Sequence, residues 1–161
     1  MMNVLLISDD PQKRTFIEIV SLARQIEDVG VKNIDVYCLY ENTLTFFNHE
    51  VGEENLNQGT TSVTLETILK KVRYELIVIS LKLDNLEKLA LGEKRVIDLL
   101  KKVCPKTTVF IFGGRSALKK VKNLETYKSI YTYDRPGVAK LTRKFNEAII
   151  THIKTAMKKE T

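Results

Sequence analysis

ELIVISLKLD, residues 75–84, is the stretch on which the fold turns. Glu75 to Ser80 is the most hydrophobic run in the chain and reads as a short strand that ends on an alcohol. Asn3-Val4-Leu5-Leu6-Ile7-Ser8 has the same form. It is stopped by Asp9-Asp10, the signature of a strand buried on both faces. Ile34 to Tyr40, Thr108 to Phe112 and Ser129 to Tyr133 complete five such runs.

Between them the apolar spacing changes to that of helices. Asp10-Pro11 is expected to open the first, Asp capping free amides and Pro preset for the first helical position. Phe16, Ile17, Ile19, Val20, Ala23, Ile26 and Val29 then repeat at helical spacing, and Gly30 sits where a helix stops. Further helices are expected at 63–73, 86–103 (loosened near Gly92), 116–121 and 136–157. Parallel strands need helical crossovers, so the alternation predicts a doubly wound α/β sheet of five parallel strands between two helical layers. The stretch 41–61 exceeds the usual connection in a compact domain. It is open to three readings: a functional loop, an added strand or a mobile segment.

The 161 residues suit one domain, 1–161, and the composition excludes disordered, collagenous and low-complexity architectures. Cys38 and Cys104 cannot form a disulfide scaffold, which points to a reducing, cytoplasmic setting. They have neither CxxC spacing nor a histidine cluster for zinc. No apolar run is long enough to span a membrane, and the N-terminus lacks the regions of a signal peptide. Charge is uneven: residues 1–100 hold 11 basic and 16 acidic side chains, residues 101–161 hold 15 and 4. A basic C-terminal third suits an acidic protein partner. Nucleic acid is the less favoured reading, since no helix-turn-helix or zinc finger is present and aromatics are not interleaved with the charges.

In doubly wound sheets the working site lies outside the carboxyl ends of the strands. Here those ends carry Asp9, Asp10, Ser80, Gly113-Gly114-Arg115-Ser116 and Asp134-Arg135. In register and spacing this layout resembles the receiver domain of two-component response regulators, over nearly the whole chain. The resemblance implies a flavodoxin-like fold, a metal-holding acidic pair at Asp9-Asp10 and a phospho-accepting position at Ser80. It also equates Asp84 with a Pro, Gly113-Gly114 with a Thr or Ser followed by Ala, and Arg135-Pro136 with Lys-Pro.

Those departures bear on the chemistry. A Ser hydroxyl is neutral, binds metal poorly and needs a base to become a nucleophile. Gly113 lacks the hydroxyl that responds to phosphorylation, and Arg135 differs from Lys in reach and geometry. Three of the four switch positions are altered, so the expectation is a pseudo-receiver: non-enzymatic, without cofactor, and with residual Mg²⁺ at Asp9 and Asp10 disfavoured. Its partner would dock on the surface that receivers use, here Lys119, Lys120, Tyr131, Tyr133, Arg135, Lys140 and Lys144. A homodimer is left open. The alternative is a sensor of phosphate, a nucleotide or another small molecule, built on Asp9, Asp10, Ser80, Gly113, Gly114, Arg115 and Arg135.

Overall fold

The computed structural model describes residues 2–9, 14–40, 43–50, 62–80, 96–113, 130–134 and 143–160. The chain runs β1 (Asn3–Ser8), α1 (Arg14–Asp28), β2 (Asn33–Tyr40), β3 (Thr43–Phe47), α2 (Leu65–Lys71), β4 (Leu76–Ser80), α3 (Val96–Val103), β5 (Thr108–Gly113), β6 (Ile130–Asp134) and α4 (Arg143–Glu160). The strands form one sheet in the order β3-β2-β1-β4-β5-β6. All pairings are parallel except β2 with β3.

The expected sheet of five parallel strands is therefore present but carries a sixth, antiparallel strand at one edge. Thr43-Leu44-Thr45-Phe46-Phe47 turns back directly after Tyr40, and the Thr43 hydroxyl donates to the Tyr40 carbonyl at 3.4 Å. Leu44 and Phe47 are buried on opposite faces, as the alternation of a strand requires. Of the three readings of 41–61, added strand holds for 43–47.

The same strand corrects the start of the next helix. Val63 is not helical; it bridges Leu44, each N–H donating to the other's carbonyl at 2.8 Å. Thr64 then caps α2, its hydroxyl accepting from the Thr67 N–H at 3.3 Å. Val72 leaves the helix with extended backbone, so α2 is shorter than 63–73. The part of the 86–103 helix before Val96, the 116–121 helix and the first turns of the 136–157 helix lie outside the described residues.

Alternate residues of each central strand feed two cores. Val4, Leu6, Val36, Leu76, Val78, Phe110 and Phe112 meet α1 and α4 through Phe16, Ile19, Ala23, Phe145, Ile149 and Ile153. Ile17, expected among the apolar residues of α1, is instead 65% exposed. Leu5, Ile7, Ile77, Ile79, Val109 and Ile111 meet α2 and α3 through Leu65, Ile68, Leu69, Val96, Leu99 and Leu100. The result is three layers, helices on both faces of a sheet whose middle strands have no wet side. Cys38 is buried among the first set.

At the lower end of the sheet, where the parallel strands begin, the polar groups are tied. The Tyr74 hydroxyl donates to Asp35 Oδ2 at 2.6 Å, the Thr107 hydroxyl donates to the Tyr74 carbonyl at 2.7 Å, and the Asn3 N–H donates to Glu75 Oε2 at 2.7 Å. Burial and then the Asp35 carboxylate hold the Tyr74 phenol well above its ordinary range.

His152 lies half-buried on α4 against the Phe110 ring, with centroids 5.7 Å apart. Burial first, then Lys159, lowers its pKa from the usual imidazole value near 6.5. As pH falls through about 6.5 the unfolded chain therefore takes up a proton before the folded one does, and stability drops on that side only. Urea midpoints at pH 7 and pH 5.5 are expected to differ more in the native sequence than in His152→Gln; equal differences would remove His152 from the acid limb.

Candidate functional site

The register of the sheet sets one row of residues across its carboxyl end. Ser8 pairs with Cys38 on one side and Ser80 on the other; Ser80 pairs in turn with Phe112, and Phe112 with Tyr133. Paired residues of neighbouring strands point to the same face, so the two serines continue the stripes Val4–Leu6 and Leu76–Val78. Each stripe is apolar until its last member, where a hydroxyl replaces a hydrocarbon.

Both serines are fully buried, and Asp9, one residue beyond the row, is 1% exposed. The Ser8 Oγ has no hydrogen-bond partner among the described residues. A buried hydroxyl in that condition gives up its water without recompense, which costs on the order of 1–3 kcal/mol. Ser8 was absent from the expected site. In sequence it is only the last residue before an acidic pair, and nothing but strand register shows that it is Ser80's neighbour.

Ser80, where the resemblance implies a phospho-acceptor, brings no carboxylate to the row. The position that would take the phosphoryl group is an alcohol in the buried interior. Neither histidine offers a base at the strand ends: His49 is engaged with Glu27 beyond the far end of α1, and His152 packs on Phe110. Gly113 ends β5 paired with Asp134, the last residue of β6. Among the other expected site residues, Asp10, Gly114, Arg115 and Arg135 lie outside the described residues.

The expected docking surface is brought together only in part. Tyr131 and Tyr133 lie on β6 two residues apart, in register with Phe110 and Phe112 of β5. Lys144 is exposed in the first turn of α4, beside Arg143, whose Nε donates to Glu147 Oε1 at 3.0 Å. That pair is fully surface-lying and is worth little to stability. Lys119, Lys120 and Lys140 lie outside the described residues. Further along α4, Lys154, Lys158 and Lys159 are exposed, so its outer side is basic along much of its length.

The thiols are not reactive centres. Cys38 is buried, and burial raises the Cys104 thiol above its usual value despite a hydrogen bond with Thr107. No described helix is long and apolar enough to cross a membrane. No family model matches the chain, and no curated protein matches it.

Proposed function

We propose that this chain is a receiver-like regulatory domain that acts by docking a protein partner and carries no phosphoryl group. Setting aside the antiparallel β3, the parallel strands follow the chain order 2-1-3-4-5, which supports a flavodoxin-like topology. In that topology the working end lies where the connections from the central strands diverge, beside Ser8, Asp9 and Ser80. The observation that carries the reading is the burial of Ser80 in the row next to Ser8. A receiver needs there an ionised, metal-bound carboxylate within reach of solvent phosphodonors. This chain has a neutral hydroxyl sealed under the sheet's end. With the interior unable to signal, the exterior is left to do so, and among the described residues the basic side of α4 is its most distinctive part. A partner with an acidic surface would be drawn to it and held in register by complementary charge.

The test is incubation with acetyl phosphate and Mg²⁺, followed by intact mass measurement. No mass increase is expected. A stoichiometric gain of one phosphoryl group would overturn the proposal.

A second reading has one observation in its favour. The unpartnered Ser8 Oγ is the kind of group that a small polar ligand satisfies, which favours a phosphate or nucleotide sensor at the strand ends. Thermal melting with phosphate, Mg²⁺ and common nucleotides separates the two, since a ligand at a hundred times its Kd adds about 2.7 kcal/mol of stability. A shift with any of them would favour the sensor.

A further inference from the structure

The pole of the molecule away from the strand ends holds a second cluster of ligating side chains. Glu27, His49 and Glu50 each offer one ligand atom, an imidazole nitrogen or a carboxylate oxygen, and these atoms lie within 4.8 Å of one another. They come from two elements that meet nowhere near each other in sequence. α1 ends in a left-handed turn at Gly30 (φ 106°), where the Gly30 N–H donates to the Glu27 carbonyl at 2.9 Å and the Val31 N–H to the Ile26 carbonyl at 3.4 Å. Those two hydrogen bonds fix the backbone at the end of α1 and leave the Glu27 side chain 34% exposed. β3 runs antiparallel to β2, so residues just past Phe47 arrive at the same end of the sheet as the end of α1. The Phe47 ring is anchored edge-on against Phe16 of α1, with centroids 4.7 Å apart. His49 follows, only 8% exposed, with its Nε2 on the Glu27 carboxylate. The Glu50 N–H donates to Asn48 Oδ1 at 3.1 Å, a local turn that brings the third ligand round.

The structure assigns a divalent transition-metal site, of the Zn²⁺ class, to Glu27, His49 and Glu50. One imidazole and two carboxylates form a mixed nitrogen and oxygen set suited to first-row transition ions. Mg²⁺ and Ca²⁺ prefer shells made of oxygen alone. Three protein ligands leave one tetrahedral position for water, on the side where Glu50 is exposed. His49 is too buried to be an incidental surface histidine. The three groups converge from a capped helix end and an anchored strand, so the ion need not order them from scratch. Bound there, it would clip the antiparallel edge of the sheet to α1, reinforcing the contact that Phe47 makes with Phe16. This assignment is independent of the strand-end site.

The test uses the full chain, stripped with a chelator and titrated with Zn²⁺ under native mass spectrometry, with melting temperature as a second readout. One equivalent is expected to bind and to raise the melting temperature, and a hundredfold excess of Mg²⁺ should not displace it. Glu27→Gln keeps the size of the side chain and its ability to bond His49. It is expected to weaken binding on the order of a hundredfold, at or beyond the upper end of the 10–100-fold loss from deleting an outer-shell partner. Glu50→Gln, at an exposed position, should fold as the native chain does and lose affinity likewise. The assignment is overturned if the native chain binds no Zn²⁺. It also fails if the bound equivalent and the melting shift persist unchanged in both variants, which would place the ion elsewhere, Cys104 and His152 being the other donors to examine.

Discussion

Ser80→Asp, which installs the acceptor residue of the receiver domains the chain resembles, is expected to lose about 3–5 kcal/mol of stability and to gain no phosphorylation. Ser80 has no exposed surface, its strand neighbours are Ser8 and Phe112, and the buried Asp9 lies one residue past the row. Among the described residues its strand neighbours offer a carboxylate placed there no cation, and a buried charge without one costs in that range. Urea unfolding at pH 7 measures it. A loss below about 1 kcal/mol, or a phosphoryl gain after treatment with acetyl phosphate, would mean that the strand end can open to host ion and metal. The function proposed above would then need revision, because its premise is that the buried end of β4 cannot take an ionised group.

Phe145→Ala is expected to cost a similar amount, about 3–5 kcal/mol, for a different reason. Phe145 is fully buried in the first turn of α4 and touches both aromatic residues of β5, with centroids 4.8 Å from Phe112 and 6.3 Å from Phe110. Deleting the ring removes its transfer energy and leaves a cavity between a helix and a strand that cannot close without moving one of them. Since Phe112 lies in the same row as Ser80, the damage should reach the strand ends as well as α4. Chemical denaturation would report the loss. A change under about 1 kcal/mol would show that α4 is held mainly by Ile149 and Ile153.

The strands were legible because nothing competes with their apolar runs: Leu76 to Ile79 or Val4 to Ile7 can only be buried on both faces. The α1 boundary was legible at Gly30 because a left-handed stop is specific chemistry. β3 was harder. Five residues with Thr at two of them give too short an alternation to stand out, and Phe46-Phe47 breaks it. Val63 misled because it continues the apolar spacing of Leu65, Ile68 and Leu69, although its β-branched side chain favours the extended backbone that its bridge to Leu44 shows. The candidate site was half legible. Ser80 could be found by position along its strand, whereas Ser8 needed register and Glu27 with His49 needed a hairpin to bring them together across 22 residues.

The Leu44–Val63 bridge bears on how the molecule tolerates crowding. A free outer strand is an invitation to any other extended chain, and proteins that leave one bare tend to polymerise along it. Here the backbone groups of Leu44 are already taken, so a would-be intruder must first break two short bonds before adding itself to the sheet. With Phe46 36% exposed two residues further on, that small latch makes strand addition harder where this flank is greasiest.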